Sequence, residues 1–103
     1  MSENWHTVAS VDQIDEDQPL AVKVDGNEIG IFKVNDSFYA IEDICPHAYA
    51  LLTQGFIDGD NVECPLHEAV FHIPSGKCLK APAERDLKTY PIRIEGNQVL
   101  IAL

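Results

Sequence analysis

Apolar and polar residues alternate with a period of two near both ends of the chain, and this pattern predicts β-strands. Val22 and Val24 flank Lys23, and Ile92 and Ile94 flank Arg93, so that each apolar pair can face one core. Residues that favour turns separate these apolar runs. The pattern predicts six strands, at residues 5–9, 20–24, 28–34, 37–42, 89–94 and 98–102.

The segments between these strands are typical of tight turns. Residues 25–27 read Asp-Gly-Asn and residues 95–97 read Glu-Gly-Asn, both common in β-hairpins. The only helical pattern is a single turn at 11–14, which Ser10 or Asp12 can cap. We therefore predict an all-β fold, a small antiparallel sandwich or barrel.

The middle of the chain, residues 43–86, has a different composition. It carries all three cysteines and four of the six prolines, and short apolar pairs such as 56–57 and 70–71 interrupt it. We interpret it as two loops and a hairpin inserted into a framework formed by residues 4–42 and 87–103. Functional residues commonly lie on such loops of a rigid scaffold.

Length and charge limit the functions that are possible. The 103 residues suit a single domain, 1–103, with a modest core. Asp and Glu number 17 against 7 Lys and Arg, a net charge of -10, which argues against nucleic acid or an anionic membrane as partner. No apolar run approaches the ~20 residues of a membrane helix, and no secretory signal is present. We expect a cytoplasmic protein.

Two short clusters carry the candidate chemistry. Cys45-Pro46-His47 and Cys64-Pro65-Leu66-His67 each supply one thiolate and one imidazole, with 16 residues between the clusters. A structural Cys₂His₂ zinc site is one interpretation. Zinc motifs usually pair like ligands, however, whereas each cluster here mixes one Cys with one His. The mixed pattern favours two unequal irons bridged by sulfides, and zinc remains an alternative.

The spacing C-x-H, then C-x-x-H after 16 residues, resembles the motif of the Rieske [2Fe–2S] family. The resemblance continues through residues 55–60, 71–77 and 81–83 and implies the Rieske fold with one [2Fe–2S] cluster. It implies that Cys45 and Cys64 bind one iron, and that His47 and His67 bind the outer iron. No catalytic residue is expected.

The ligand set determines the charge of such a site. Two ferric ions and two sulfides sum to +2, which two thiolates cancel, so that the oxidised site is neutral and the reduced site carries -1. A four-cysteine site would run from -2 to -3, and replacing thiolates by imidazoles therefore raises the reduction potential.

The resemblance also discriminates between kinds of Rieske protein. Respiratory and photosynthetic members have a disulfide and two hydroxyls near the cluster. The matching positions are Ala50 and Leu66 for the disulfide, and Ala69 and Phe71 for the hydroxyls. Without hydrogen bonds to sulfur we expect a low potential, on the order of -150 mV. The chain is most similar to soluble ferredoxins of bacterial aromatic-ring-hydroxylating dioxygenases.

This resemblance implies a one-electron carrier rather than an enzyme. It would receive electrons from an NAD(P)H-dependent flavoprotein ferredoxin reductase and deliver them to a terminal Rieske oxygenase, and we expect a monomer. Three alternatives stay open: the ferredoxin of a diiron monooxygenase, the Rieske-like small subunit of an assimilatory nitrite reductase, and a zinc-stabilised interaction module. The nitrite reductase subunits commonly lack the ligands that this chain has.

Some positions depart from the family pattern. Many relatives have glycine after each ligand histidine, where this chain has Ala48 and Glu68, and Tyr49 is bulkier than usual. We expect an altered loop shape and docking surface. Glu68 also places a negative charge beside an outer-iron ligand, which disfavours the reduced state. His6 and His72 are predicted to be ordinary surface or strand residues, and Cys78 a buried or half-buried strand residue, with an extra ligand or redox role as the minor alternative.

Overall fold

The computed structural model describes residues 4–45, 50–65, 69–80 and 86–103. Within these ranges the helical segments are two 3₁₀ turns, Val11–Gln13 and Leu52–Gln54, and no helix is long or apolar enough to cross a membrane. The strands are β1 (Trp5–Ser10), β2 (Leu20–Val24), β3 (Asn27–Val34), β4 (Ser37–Glu42), β5 (Phe56–Asp58), β6 (Asn61–Glu63), β7 (Val70–His72), β8 (Cys78–Lys80), β9 (Thr89–Tyr90), β10 (Ile92–Glu95) and β11 (Gln98–Ala102).

Two antiparallel sheets form the framework. One has the strand order β1-β11-β10 and the other β2-β3-β4-β9. Alternate residues of the strands supply a core between them, including Ile29 and Ile31 of β3 and Val99 and Ile101 of β11. Burying each of these side chains contributes ~1.5–3 kcal/mol to folding. The expected all-β sandwich is confirmed.

The opposite face of the middle sheet supports a second core. Phe32 and Val34 of β3 and Ile41 of β4 pack there against Val62 and Phe71. The last two belong to a third sheet, with order β5-β6-β7-β8. Because both faces of β3 are covered, the strand is apolar over most of its length instead of strictly alternating.

Tight turns hold the register that separates the two cores. In the β3–β4 hairpin Val34 is paired with Ser37, and the intervening Asn35 and Asp36 have φ of 50° and 68°. Two residues with positive φ are the signature of a type I′ turn, whose twist matches that of the strands. A slip of one residue would exchange the side chains of the two cores, so the turn determines which residues reach the site.

Pro91 divides the predicted strand 89–94 into two. β9 pairs with β4 in the middle sheet, whereas β10 pairs with β11 in the outer one. Pro91 has no N–H to donate, and its carbonyl accepts a hydrogen bond of 3.0 Å from the Ala102 N–H. The chain therefore crosses between sheets at this residue.

Smaller elements match the sequence less completely. The predicted turn at 11–14 is the first 3₁₀ turn, in which the Ser10 N–H donates to Gln13 Oε1 at 2.8 Å. The apolar pairs at 56–57 and 70–71 lie in β5 and β7. Strands β6 and β8 were not predicted, because three residues are too few to display an alternation.

Candidate metal centre

Cys45 and Cys64 enter the same core from two different elements. Cys45 lies three residues after β4, and Cys64 directly follows β6. Their exposed fractions are 2% and 1%, and both belong to the core cluster that includes Phe71. Neither forms a disulfide in the described part of the chain. Two buried cysteines in one core can bind a metal as thiolates.

The two cysteine loops close in the same way. The Cys45 N–H donates to the Ala50 carbonyl at 2.9 Å, and the Cys64 N–H donates to the Ala69 carbonyl, also at 2.9 Å. In each loop the acceptor lies five residues after the donor.

The residues that flank these hydrogen bonds pair in matching register as well. Ile44 forms an antiparallel bridge with Leu51, and Glu63 pairs with Val70 in the β6–β7 ladder. The second loop thus repeats the backbone closure of the first with an offset of 64 − 45 = 19 residues. Two loops with one closure geometry can present ligands from opposite sides of a shared centre.

The two predicted histidine ligands, His47 and His67, lie outside the described residues, as do Ala48, Tyr49 and Glu68. In sequence, however, each histidine stands between the cysteine and the alanine that close its loop. The structure therefore brings the two cysteines together in one core. The assignment of the four ligands to two irons stays a prediction.

A buried carboxylate lies next to the loop that begins at Cys45. Asp43 is fully buried, and its Oδ1 accepts from the Thr53 N–H at 2.8 Å while its Oδ2 accepts from the Thr53 hydroxyl at 2.9 Å. The Asp43 carbonyl also accepts from the Leu52 N–H at 2.7 Å. These bonds fasten the second 3₁₀ turn to the chain just before Cys45.

Burial raises the pKa of Asp43, because a charged carboxylate loses its hydration there. The hydrogen bonds from Thr53 act in the opposite direction, since they favour the ionised form. Sequence reasoning missed this pair. The one available signal was an aspartate two residues before a predicted ligand cysteine, and nothing local pointed to Thr53.

Gly30 makes room for this support. A Cβ at position 30 would lie 2.7 Å from Phe32 Cε1, 2.9 Å from Thr53 Cγ2 and 3.2 Å from Asp43 Oδ1. A glycine in the interior of a strand commonly marks such a close approach. The second 3₁₀ turn can therefore rest directly on β3.

The β7–β8 hairpin continues from the second loop. Ala69 and Phe71 are fully buried, so that both positions face the core that contains Cys64. At the turn, Gly76 has φ of +73° and its carbonyl accepts from the Leu87 N–H at 2.7 Å. The Cys78 N–H donates to Asp86 Oδ1 at 2.8 Å. Both bonds tie the hairpin to the segment that returns to the framework.

His72, expected to be an ordinary strand residue, connects two turns. Its Nε2 lies 3.0 Å from Asp60 Oδ2, and its Nδ1 lies 2.8 Å from Ser75 Oγ. The Lys77 N–H also donates to Ser75 Oγ, at 3.2 Å. These contacts stabilise the end of the third sheet that lies away from the cysteine loops.

His6 is remote from the cysteines, on β1 and opposite Ile101 of β11. Its Nε2 is buried and has no hydrogen-bond partner among the described residues, the distance to Asp25 Oδ2 being 3.9 Å. Cys78 is partly buried against the second core. That core also contains Cys45 and Cys64, and Cys78 is paired with Phe71 in the β7–β8 ladder.

The predicted donor set fits an iron–sulfur group, and it also fits a closed zinc site. The cysteines and their immediate surroundings are buried and apolar, and a neutral oxidised group can occupy such a site without a counter-charge. Two thiolates and two neutral imidazoles produce that neutrality with a [2Fe–2S] core. With a single Zn²⁺, the same set would also be neutral, so charge alone leaves zinc possible.

Comparison with known proteins favours the [2Fe–2S] cluster over zinc. The family model described as the Rieske [2Fe-2S] domain matches residues 4–91. A ferredoxin component of naphthalene 1,2-dioxygenase/salicylate 5-hydroxylase systems from Ralstonia sp is 39% identical over 103 residues, which is 100% of this chain and 99% of that protein.

Solved structures give the same result. The ferredoxin of carbazole 1,9a-dioxygenase from Nocardioides aromaticivorans IC177 has a TM-score of 0.89 at 33% identity, covering 95% of this chain and 96% of its own. A complex of reduced oxygenase and oxidized ferredoxin in carbazole 1,9a-dioxygenase contains a chain with a TM-score of 0.89 at 28% identity, covering 98% of this chain and 94% of its own. The chain therefore belongs to the Rieske [2Fe–2S] domain family.

Proposed function

We propose that this Rieske ferredoxin carries single electrons from an NAD(P)H-dependent flavoprotein reductase to the terminal oxygenase of an aromatic-ring-hydroxylating dioxygenase. When bound, the [2Fe–2S] cluster accepts and releases one electron. The observation that carries the proposal is the pair of identically closed loops that bury Cys45 and Cys64 in one core. Dioxygenase ferredoxins that match almost the whole chain support it.

The side chains around the cysteines suit electron transfer rather than substrate chemistry. The described part of the site is packed with apolar residues such as Phe71 and Leu52, which exclude water from the thiolates. The proposed site residues are Cys45, His47, Cys64 and His67, which would hold the cluster, and oxygen activation is assigned to the partner.

The first test is spectroscopic. We expect equal amounts of iron and acid-labile sulfide, a silent oxidised sample in electron paramagnetic resonance, and an anisotropic signal after dithionite with an average g below the free-electron value. Cys64→Ser should abolish the signal, whereas Cys78→Ser is a matched control that should keep it. A colourless protein that retains zinc would support the alternative of an interaction module.

The second test is reconstitution. Purified ferredoxin is combined with a flavoprotein reductase, NADH and a panel of terminal oxygenases, including those of naphthalene and biphenyl dioxygenase systems. Substrate-dependent product that requires the wild-type ferredoxin, and is lost with Cys64→Ser, supports the proposal. Activity only with a diiron monooxygenase, or only with a nitrite reductase, would assign the protein to one of those systems.

The proposal includes a cytoplasmic monomer. A carrier that docks with two partners in turn needs one accessible cluster face, and its charge of -10 opposes self-association. Light scattering coupled to size-exclusion chromatography measures the mass directly, with 11.4 kDa expected for the polypeptide of one chain. Fractionation of cells that express the protein tests its location.

A further inference from the structure

Phe56 is the most exposed of the large apolar side chains in the described part of the chain, at 64%. It lies on the edge strand β5, opposite Glu63, which in turn is paired with Val70. The neighbouring row of the same sheet, Ile57 with Val62 and Phe71, faces the second core. Because side chains alternate along a strand, Phe56, Glu63 and Val70 lie on the outer face.

This outer row stands at the end of the sheet from which the second cysteine loop emerges. Glu63 immediately precedes Cys64, and Val70 immediately follows Ala69, the residue that closes the loop. The exposed ring of Phe56 is therefore two strand spacings or less from the start and end of a loop that is proposed to hold the cluster. A protein bound there would lie beside the cluster.

The position of Phe56 is held rigidly. The preceding residue, Gly55, donates its N–H to the Leu52 carbonyl at 2.9 Å, and a Cβ at position 55 would overlap the backbone carbonyl of Glu63. Only glycine permits this approach of β5 to β6. An aromatic residue on a fixed strand loses little conformational entropy on binding, which is a property of interface hot spots.

Carboxylates surround the ring. Asp58 is exposed on the same face of β5, two residues from Phe56, and Glu63 is the cross-strand neighbour of Phe56. Among residues 4–45, 50–65, 69–80 and 86–103, no cation forms an ion pair with Asp58 or Glu63. An exposed aromatic ring within an unneutralised acidic rim is complementary to an apolar recess bordered by Lys or Arg.

We propose that Phe56, Asp58, Glu63 and Val70, here termed the Phe56 face, form the docking surface for the terminal oxygenase. The Phe56 ring enters an apolar recess of the oxygenase, and cationic residues around that recess contact Asp58 and Glu63. This inference rests on the proposed function. A second copy of the chain is disfavoured as occupant because its face carries the same negative charge.

The test measures electron transfer from the dithionite-reduced ferredoxin to the oxygenase that the wild-type protein reduces, by stopped-flow absorbance. Phe56→Ala should lower the second-order rate constant at least tenfold at low ionic strength, ~1.4 kcal/mol. Phe56→Tyr, which keeps the ring, should remain within threefold of wild type. Ile94→Ala is the matched control, because Ile94 is an apolar residue of the framework strand β10 that is 40% exposed.

The contribution of Asp58 and Glu63, the acidic rim, is tested by varying the ionic strength. For wild type the rate constant should fall as ionic strength rises, and the Asp58→Asn/Glu63→Gln double variant should show a flatter dependence. Visible spectra and reduction potentials of all variants establish that the cluster is intact before rates are compared.

Four outcomes would overturn the inference. Equal rates for Phe56→Ala and wild type remove the docking role. A loss confined to the reaction with the reductase assigns the face to the other partner, and a change of oligomeric state assigns it to a second copy. If the reduced wild-type protein transfers electrons to no oxygenase of the panel, the proposed function fails, and the docking inference fails with it.

Discussion

Thr53 binds both carboxylate oxygens of the fully buried Asp43, through its backbone N–H at 2.8 Å and its hydroxyl at 2.9 Å. The two residues are ten positions apart, and neither is a predicted ligand. Their contact joins the second 3₁₀ turn to the residue two positions before Cys45. The first cysteine loop is thus supported by a pair of polar residues inside an apolar core.

Replacing Asp43 by alanine should destabilise the protein strongly. Both donors of Thr53 would lose their acceptor, and leaving buried polar groups unsatisfied costs ~1–3 kcal/mol each. Asp43→Asn should cost far less, since an amide can accept from the N–H and donate to the hydroxyl oxygen. Thermal unfolding of the cluster-loaded protein, followed by visible absorbance, measures both. Equal loss in the two variants would contradict the hydrogen-bond account.

The same carboxyl should contribute to the pH dependence of stability. Burial raises the pKa of Asp43 above its ordinary value of 3.8, so the folded protein binds this proton more tightly than the unfolded chain does. This stabilisation of the folded protein is fully present below pH 3.8. It is lost as the pH rises through the raised pKa that Asp43 has in the folded protein.

The measurement for this group is a difference between two proteins. Asp43→Asn cannot ionise, so its stability relative to wild type should increase as pH rises from about 4 and then reach a plateau. Denaturant unfolding of both proteins across that range provides the comparison, in which the other carboxylates cancel. A difference that is independent of pH would show that burial does not affect the titration of Asp43.

Restoring hydroxyls near the cluster should raise its potential. Ala69 and Phe71 are fully buried in the core that contains Cys64, at positions where other Rieske proteins have hydroxyls. Because a hydrogen bond to sulfur stabilises the more negative state, Phe71→Tyr and Ala69→Ser should each raise the potential by on the order of 50 mV.

A buried hydroxyl elsewhere in the same core is the control for that effect. Phe32→Tyr, on β3, should leave the reduction potential within about 10 mV of wild type. On this scale, a change of ~60 mV corresponds to a tenfold preference for one redox state. Redox titration monitored by circular dichroism gives all three values. A rise for Phe32→Tyr equal to that for Phe71→Tyr would rule out a specific hydrogen bond.

Two glycines with similar backbones allow a test of the hairpin contact. Gly76 and Gly59 have φ of +73° and +63°. A Cβ on Gly76 would lie 2.6 Å from the Leu87 carbonyl oxygen, whereas a Cβ on Gly59 would meet nothing within 4 Å.

Gly59→Ala should therefore show only the cost of a left-handed conformation, ~1 kcal/mol. Gly76→Ala should lower the free energy of unfolding by at least ~2 kcal/mol, because the hydrogen bond from the Leu87 N–H to the Gly76 carbonyl must also shift. Chemical denaturation of both variants measures the difference. Similar losses in the two variants would mean that the segment around Leu87 can move without cost.

The strands and the candidate site could be predicted because both depend on local sequence patterns. Alternation located the framework strands, since residues such as Ile29 and Ile31 must share one face. The clusters around Cys45 and Cys64 predicted the candidate site, because their residue types have few other roles at that spacing, and the structure places both cysteines in one core. The single strand predicted over 89–94 failed at Pro91, where the loss of one N–H permits a change of sheet.

Contacts between distant segments could not be predicted. The Asp43–Thr53 pair and the link of His72 to Asp60 each depend on how separate segments pack. Local sequence patterns contain no signal for such contacts. The exposed ring of Phe56 was likewise hidden, because an aromatic residue in a β-strand is usually counted as core.

Strand β3 supplies Ile29 and Ile31 to one core and Phe32 and Val34 to the other. A strand that is shared in this way cannot leave one core while it stays in the other, so the framework and the cluster-bearing sheet must open together. The amide protons of β3 should consequently exchange with solvent at the rate of global unfolding. The redox centre is thereby protected from partial opening by a strand that contributes none of its predicted ligands.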